Sequence, residues 1–295
     1  MKKILIIGGT GFIGYHLAKK CINKNFKVTS LSKNPPKKIR FVKKVKYIIC
    51  DINDEKKLKK SIASNFNYIV NLGGYVNHQN KRETYRSHYL GLKNLTNFFK
   101  DKKIKKFIQI GSGMEYGRLR SPQKEHFRCQ PKSIYALSKF LSTEHLLSLY
   151  KKEKFPAVIL RLYQVYGPNQ DKNRLIPIII DGCKHDKSFP CSSGEQFRDF
   201  LFIDDLIDSL LICLDAKVEG KIINIGSGEA INVKEIIKKI VKLYKSGRPL
   251  FGKIKLRKEE MIKVYPSLLN ARRLLGWKAK VPFDKGILKT ISFYN

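Results

Sequence analysis

The sequence predicts an α/β fold in which helices cover both faces of a doubly wound parallel sheet. Short apolar runs alternate with helical patterns through the first half of the chain, at the spacing of strand–helix–strand units. The first run, Ile4–Ile7, is apolar without interruption, which is typical of a parallel strand buried on both faces. We therefore place this run as the first strand of the sheet.

Three glycines follow the first strand at intervals of three residues: Gly8, Gly11 and Gly14. A helical pattern then continues through Leu17. A side chain at either of the first two glycines would block the close approach of a diphosphate to a helix N-terminus, and one at Gly14 would push the helix off the strand. The alternative, an ordinary strand–helix turn, is less favoured in this context. The pattern predicts a dinucleotide site in a Rossmann-type sheet.

The second predicted strand, Lys27–Leu31, is followed by Ser32 and Lys33. NAD-binding folds carry a carboxylate near this point, which accepts hydrogen bonds from the ribose hydroxyls. Here a hydroxyl and a cation stand instead, and both suit a 2′-phosphate. The sequence favours NADP over NAD, although lysine is so common in this chain that Lys33 could be there by chance.

The later strands are predicted at Val45–Asp51, Phe66–Leu72 and Lys106–Ile110, with a helix over Glu83–Lys100. Ligands of doubly wound sheets bind at the carboxyl ends of the strands. The residues predicted to lie at that edge are Gly8, Ser32, Asp51, Gly73 and Ser112. Glycine at 73 and 74 lets the backbone lie against a cofactor.

Tyr135 and Lys139 lie in a helical segment, Ile134–Tyr150, and are four residues apart, so they share one helix face. A phenol titrates near ~10, which is too high for ready proton exchange at neutral pH. A neighbouring ammonium would favour phenolate and lower that pKa, and the same lysine could hold a ribose. A surface pair is the alternative, and the upstream glycine motif and Ser112 make it the weaker one.

Composition excludes several other classes of protein. No apolar run approaches the ~20 residues of a membrane span, and the glycine loop interrupts what would be a signal peptide, so we expect a cytoplasmic protein with no membrane partner. The six cysteines form no C-x-x-C pair, which argues against a metal site and a disulfide framework. The net charge of +36 invites a nucleic-acid partner, but the lysines are spread along the whole chain, so a solvated basic surface is favoured.

The glycine motif, Ser112 and the pair Tyr135-x-x-x-Lys139 together resemble the extended short-chain dehydrogenase/reductase family. The closer resemblance is to its nucleotide-sugar epimerases, dehydratases and keto-reductases. The resemblance runs nearly end to end, because four further segments match family patterns: Arg161–Gln170, Gln196–Asp205, Asn224–Glu229 and Leu274–Trp277.

The resemblance implies a role for each matching residue. Tyr135 would be the general acid/base, Lys139 its partner, and Ser112 would hydrogen-bond the reacting sugar oxygen. Those expected to bind the cofactor are Gly8, Gly11, Phe12, Ile13 and Gly14 on the diphosphate, Asp51 and Ile52 on the adenine, and also Ser32, Lys33, Leu72, Gly73, Gly74 and Leu162. Those expected to bind the nucleotide-linked sugar are His88, Gln164, Arg198 and Arg257; His88 and Gln164 replace the asparagines of many members.

The resemblance also implies two interleaved lobes and a dimer. The dinucleotide-binding domain is predicted over residues 1–163 with about 200–225, and a smaller α/β lobe for the nucleotide sugar over about 164–199 and 226–295. A homodimer would form through the helices over Glu83–Lys100 and Ile134–Tyr150. The apolar stripe Tyr85, Tyr89 and Leu92 is compatible with that interface, or equally with packing on the sheet.

Departures from the family pattern narrow the expected reaction. Dehydratases carry an Asp-Glu pair directly after the catalytic Ser or Thr, whereas this chain has Gly113 and Met114. Glu115 comes one residue late, and on an extended segment that shift turns a side chain to the opposite face. The prediction is NADPH-dependent reduction of a nucleotide-linked 4-keto-hexose, with Tyr135 as proton donor. The alternatives are an NAD-dependent epimerase using the same residues, and a catalytically silent protein with a basic, RNA-contacting surface.

Overall fold

The computed structural model describes residues 1–62, 65–256 and 261–295. The strands are β1 (Lys3–Ile7), β2 (Lys27–Ser32), β3 (Lys46–Ile49), β4 (Tyr68–Asn71), β5 (Lys106–Ser112), β6 (Ala157–Leu162), β7 (Gln164–Tyr166), β8 (Ser188–Pro190), β9 (Phe197–Arg198), β10 (Phe200–Phe202), β11 (Ile222–Ile225), β12 (Ile231–Asn232), β13 (Arg248–Leu250) and β14 (Lys263–Val264). The helices are α1 (Phe12–Asn23), α2 (Glu55–Ser61), α3 (Lys81–Tyr85), α4 (Gly91–Phe99), α5 (Ile134–Glu153), α6 (Leu175–Lys184), α7 (Ile203–Asp215), α8 (Val233–Tyr244), α9 (Leu269–Leu275) and α10 (Phe283–Tyr294).

One seven-stranded sheet organises the molecule, in the order β11-β6-β5-β4-β1-β2-β3, and every pair in it is parallel. The chain winds outward from β1 in one direction through β2 and β3, and in the other through β4, β5 and β6. The predicted doubly wound sheet is confirmed. Its point of reversal lies at β1, where such sheets bind ligands.

Alternating side chains of β1 enter two separate cores. Ile4 and Ile6 pack in the core that includes α1, α6 and α7, whereas Leu5 and Ile7 pack in the core that includes α2, α4 and α5. All four side chains are almost completely buried. Burial on both faces therefore explains why the first strand is continuously apolar.

The smaller sheets lie beyond β6 in the sequence. β7 pairs with β10, β9 lies between β12 and β14, and β8 pairs with β13. β11 then returns to the large sheet beside β6, as the sequence-based division of the chain requires. The boundaries of the two lobes stay a prediction.

The helix predicted over Glu83–Lys100 is interrupted. α3 is followed by a π-helical turn, Arg86–Leu90, before α4 begins. Leu92 of the proposed dimer stripe is fully buried in the sheet-side core, whereas Tyr85 and Tyr89 are half-buried. The stripe is therefore divided between the core and the surface.

Three further observations concern membrane spans, cysteines and metal ligands. Within residues 1–62, 65–256 and 261–295, no helix has the length and apolar character needed to cross a bilayer. The six cysteines are free thiols, and all but Cys129 are buried. The same described ranges contain no cluster of three or more His, Cys, Asp or Glu residues that could hold a metal ion.

Candidate functional site

The glycine loop packs tightly between β1, β4 and α1. Gly8 has a φ of +77°, and a Cβ there would lie 3.0 Å from the backbone of Gly73. A Cβ on Gly14 would lie 2.4 Å from the Gly8 carbonyl oxygen, so the predicted need for glycine at the strand–helix contact is confirmed. A side chain at Gly8 would collide with the backbone at the end of β4, in addition to blocking a ligand.

The N-terminus of α1 is open to a ligand. Gly11 is the N-cap residue, it is extended, and no side chain caps the first turn that begins with Phe12 and Ile13. A Cβ on Gly11 would make only one close contact, 3.3 Å from the Gly8 oxygen. The loop thus forms a side-chain-free cradle at the positive end of a helix, which fits a dinucleotide diphosphate.

Ser32 and Lys33 lie beside this cradle, at the end of β2. The Ser32 hydroxyl accepts a hydrogen bond from the Thr10 N–H at 3.3 Å. The Lys33 ammonium lies 3.2 Å from the Asp51 carboxylate. Burial opposes ionisation of Asp51, but hydrogen bonds from Asn53 and Lys33 lower its pKa. Lys33, the proposed phosphate cation, and Asp51, the proposed adenine contact, are thus partners of each other.

The remaining predicted cofactor residues line the same edge. Leu72 and Gly73 directly follow β4, and the Leu72 N–H donates to the Ile7 carbonyl at 3.0 Å. Leu162 ends β6 and is 7% exposed. The Ile52 side chain is buried and would collide with any side chain at Gly91, so it packs against the start of α4. Gly74 lies against the His88 ring, where a Cβ would meet the imidazole at 2.0 Å.

Tyr135 and Lys139 share the face of α5 that turns toward β5. Ser133 caps the helix by accepting from the Ala136 N–H, which places Tyr135 in the first turn. The Lys139 ammonium donates to the Ile110 carbonyl at 2.7 Å and lies 6.0 Å from the centre of the tyrosine ring. Both side chains face the carboxyl edge at which Ser112 ends β5.

The electrostatics of this pair differ from the sequence-based expectation. Burial lowers the pKa of Lys139 to about 8, against a smaller opposing effect of Glu115. Burial raises the pKa of Tyr135, and a hydrogen bond with Ser112 partly offsets this. The expected lowering of the phenol pKa was wrong, because burial is the largest effect on the phenol and the Lys139 ammonium donates to the Ile110 carbonyl.

Two histidine rings enclose Tyr135. The His78 ring stacks on the phenol with centroids 4.1 Å apart and planes 16° apart, and His88 meets it edge-on at 5.1 Å. The His88 Nε2–H donates to the Tyr75 carbonyl at 3.2 Å, and burial together with Lys139 holds the pKa of His88 well below its ordinary value. His88 is neutral and next to Tyr135. His78 was missed, because sequence spacing does not reveal a contact made across a loop.

Ser112 begins a 3₁₀ turn, Gly113–Tyr116, so the segment after it is not extended as assumed. Glu115 closes that turn and is completely buried. Its Oε1 accepts from the Ser112 backbone N–H at 2.8 Å, and its Oε2 accepts from Arg161 and Thr143 at 2.8–2.9 Å. The expectation that Glu115 is turned to the opposite face assumed an extended segment, and that assumption was wrong. The roles of Glu115 and Arg161 were also missed.

Two of the predicted sugar-binding residues, Gln164 and Arg198, lie on the smaller sheets, whereas His88 lies in the π-helical turn beside Tyr135. Gln164 begins β7 and is exposed, and its N–H donates to the Asp199 carbonyl at 3.1 Å. Arg198 of β9 donates to the Phe197 and Ile262 carbonyls. Burial raises the pKa of Asp199 to about 6, against hydrogen bonds from Ser227 and Gly228. Arg257 falls outside the residues that the structure describes, so its predicted role stays a prediction.

Comparisons with known proteins identify the chain's relatives. The profile of the NAD dependent epimerase/dehydratase family matches residues 4–226. The dTDP-D-glucose 4,6-dehydratase of Mus musculus is 28% identical, over 100% of this chain and 89% of its own length. The dTDP-4-dehydro-6-deoxyglucose reductase of Escherichia coli is 26% identical, over 98% of this chain and 96% of its own.

A solved structure with the same fold is the UDP-glucose 4-epimerase of Thermotoga maritima in complex with UDP-glucose. It aligns with a TM-score of 0.93 at 22% identity, covering 99% of this chain and 98% of that one. Together, the three relatives perform a dehydration, a reduction and an epimerisation, so likeness alone does not select the reaction. The match over most of the chain, with the dinucleotide cradle and the Tyr–Lys pair, shows that this protein is an enzyme of the NAD-dependent epimerase/dehydratase family, in the nucleotide-sugar group of the extended short-chain dehydrogenases/reductases.

Proposed function

We propose that the protein is an NADPH-dependent reductase of a nucleotide-linked 4-keto-hexose. The observation that carries this proposal is the end of β2, where Ser32 stands and no carboxylate follows to accept from ribose hydroxyls. The reductase of Escherichia coli among the relatives supports the same reaction class. The bound nicotinamide would supply the hydride to the carbonyl carbon.

The chain's own residues would handle the oxygen and its proton. The raised pKa of Tyr135 keeps the phenol protonated, so it can donate a proton to the oxygen that becomes the new hydroxyl. The Ser112 hydroxyl would donate a hydrogen bond to the same oxygen as negative charge develops. Lys139, protonated below a pH of about 8, would stabilise that charge and hold the nicotinamide ribose.

The position of Glu115 argues against dehydration. Elimination of water needs an acid and a base at the sugar, and Gly113 and Met114 supply neither. The next carboxylate, Glu115, is completely buried, and its oxygens are engaged by Arg161, Thr143 and the Ser112 N–H.

An epimerase is the second candidate, and the Lys33–Asp51 ion pair favours it. A lysine already paired with a carboxylate at 3.2 Å attracts a 2′-phosphate less strongly than an unpaired one, which weakens the preference for NADP. An epimerase would use Tyr135 to take a proton from a sugar hydroxyl and return one after hydride transfer to the other face. The two candidates differ in net consumption of cofactor.

Three further expectations are part of this proposal. The protein would act in the cytoplasm on a nucleotide sugar, with residues 164–199 and 226–295 forming the sugar-binding lobe. It would form a homodimer through the helical segment over Glu83–Lys100 and α5, with Tyr85 and Tyr89 at the interface. The basic surface would be solvated, without a nucleic-acid partner.

The deciding experiment is a stoichiometry measurement. Purified enzyme is incubated with nucleotide-linked 4-keto-hexoses and NADPH, and separately with nucleotide-linked hexoses and NAD. A reductase consumes one NADPH per product, whereas an epimerase interconverts hexoses with no net consumption of cofactor. In either case Tyr135→Phe should lower kcat by about a hundredfold or more, because the proton donor is lost. A variant that kept most of the activity would refute the mechanism, and no turnover of any nucleotide sugar would favour a silent binding protein.

A further inference from the structure

Glu115 is a fully buried carboxylate directly beneath the proposed catalytic groups. Its Oε1 accepts from the Ser112 backbone N–H at 2.8 Å. Its Oε2 accepts from the Thr143 hydroxyl at 2.8 Å and from the Arg161 guanidinium at 2.8–2.9 Å. Each oxygen therefore has a partner, and the oxygen nearer the site is bonded to the backbone of Ser112 itself.

These contacts fix Ser112 at the end of β5. The N–H of Ser112 donates to the carboxylate, and its Oγ accepts from the Met114 N–H at 3.2 Å. The same hydroxyl forms a hydrogen bond with Tyr135. The carboxylate also touches the end of β5, where a Cβ on Gly111 would lie 2.7 Å from Oε1. Ser112 is thus held by its backbone and by its side chain.

The charge of Glu115 also reaches the other two groups of the site. It raises the pKa of Lys139, against the burial that lowers it, and it adds to the raised pKa of Tyr135. The titratable groups that face Lys139 in the described residues are Glu115, Tyr135 and His88. Among these, Glu115 is the group whose negative charge favours the ammonium.

We propose that Glu115 is a positioning residue of the catalytic centre, which fixes Ser112 at the end of β5 through the hydrogen bond to its backbone N–H. The inference rests on the proposed catalytic use of Ser112 and Lys139. Stability alone does not account for the buried ion pair between Glu115 and Arg161, because such a pair contributes little net stability compared with apolar residues of similar size. The bond to the Ser112 backbone is what links the carboxylate to the reaction.

Glu115→Gln tests the proposal by its pH profile. The variant keeps the shape of the side chain and removes its charge. The amide has one acceptor oxygen in place of two, so it cannot accept from both the Ser112 N–H and the Arg161 guanidinium as the carboxylate does. We expect kcat at neutral pH to fall about tenfold, because the serine is then less well fixed. We also expect the alkaline limb of the kcat profile, set near pH 8 by Lys139 in the parent enzyme, to move down by about one pH unit.

Two further variants separate positioning from charge and from stability. Glu115→Asp keeps the charge but shortens the reach, so kcat should fall while the alkaline limb stays in place. Glu219→Gln is the matched control, because it removes the carboxylate that pairs with buried Lys106 at the opposite end of β5. It should lower the melting temperature and leave kcat and the pH profile unchanged. An unchanged kcat in Glu115→Gln, or an equal fall in Glu219→Gln, would overturn the proposal.

A second readout needs no turnover. The stability difference between the parent and Lys139→Met, followed against pH, reports the pKa of Lys139 in the native state. In the Glu115→Gln background, the pH at which this stability difference changes should be about one unit lower. If no nucleotide sugar is turned over but this shift appears, the proposed function fails and the electrostatic role of Glu115 stands. If turnover is found and the shift is absent, the electrostatic role of Glu115 is refuted.

Discussion

The imidazole of His78 stacks on the phenol of Tyr135, with ring centroids 4.1 Å apart and ring planes 16° apart. His78 lies in the loop between β4 and α3, and Tyr135 lies in the first turn of α5. The stack therefore joins a loop at the carboxyl edge of the sheet to the helix that carries the proposed proton donor. With His88 on the ring edge, it restricts the rotation of the phenol about its own axis.

His78→Ala should lower kcat about tenfold, because an aromatic pair contributes about 1 kcal/mol and here orients the reacting hydroxyl. His78→Phe keeps a flat ring in the same place and should stay within about threefold of the parent. Steady-state kinetics on the identified substrate measures both variants. If His78→Phe loses as much activity as His78→Ala, the imidazole itself takes part, and stacking is not the reason.

Lys139→Met should inactivate the enzyme and yet stabilise it at pH 7. In the unfolded chain Lys139 has a pKa of 10.5, and burial lowers it to about 8 in the native state. The native state therefore binds the proton less well, and this costs stability at any pH below 8. The shift in pKa costs the wild type about 3 kcal/mol. The variant avoids this cost but loses the hydrogen bond to the Ile110 carbonyl, which contributes about 1 kcal/mol, so its stability should still be higher.

The pH dependence of this gain has a definite sign. As the pH rises from 8 to 10.5, the wild-type native state is already neutral at Lys139 while the unfolded chain is still losing its proton. The stability of the wild type therefore rises relative to the variant, and the advantage of Lys139→Met shrinks. Denaturant unfolding of both proteins at several pH values measures the difference. A constant difference from pH 7 to 10 would mean that the lysine has an ordinary pKa.

The sequence predicted the strands and the glycine cradle because each depends on a local requirement. Ile4–Ile7 must be apolar on both faces, and Gly14 must lack a side chain beside Gly8, whatever the rest of the fold does. The contacts around Tyr135 could not be predicted in this way. His78 reaches the ring from a loop, and the Glu115 carboxylate, just after β5, pairs with Arg161 on the neighbouring strand β6.

The pKa of Tyr135 was wrongly predicted for a related reason. Helical spacing places Lys139 on the same face as the tyrosine, but it reveals neither the burial that raises the phenol pKa nor the hydrogen bond from the ammonium to the Ile110 carbonyl. The π-helical turn at Arg86–Leu90 was not predicted either, since its periodicity in the sequence is that of an ordinary helix.

Gly14→Ala should destabilise the protein far more than Gly11→Ala. The added methyl at Gly14 would lie 2.4 Å from the Gly8 oxygen and 2.5 Å from the Gly9 Cα, and both atoms belong to the backbone and cannot rotate away. At Gly11 the only close atom is 3.3 Å away. We expect a loss of about 2 kcal/mol or more for Gly14→Ala, and less than about 1 kcal/mol for Gly11→Ala.

Cofactor binding separates the same two variants in the opposite sense. Gly11→Ala places a methyl group at the N-cap of α1, where the diphosphate is expected, so it should weaken NAD(P)H binding without unfolding the protein. Thermal unfolding and cofactor titration on both variants provide the test. Equal losses of stability would mean that α1 can shift away from β1, and unchanged cofactor affinity in Gly11→Ala would place the diphosphate elsewhere.

Cofactor preference should depend on Ser32 and Lys33 together. Fluorescence titration of the cofactor-free protein should give tighter binding of NADPH than of NADH, because the hydroxyl and the ammonium lie at the end of β2. Ser32→Asp introduces a carboxylate where ribose-binding folds carry one, so it should reverse the order by repelling the 2′-phosphate. Lys33→Ala should weaken NADPH binding and leave NADH binding nearly unchanged.

The Lys33–Asp51 ion pair provides the matched control. Asp51→Asn releases Lys33 from its partner, so NADPH binding should strengthen by a few-fold relative to NADH binding, which reports any change at the adenine, and the gain should shrink as salt is added. If the parent protein prefers NADH and Asp51→Asn does not change that order, then neither Ser32 nor Lys33 recognises a 2′-phosphate. That result would favour the epimerase, which returns its hydride to the substrate and has no need of a cofactor that is replaced at each turnover.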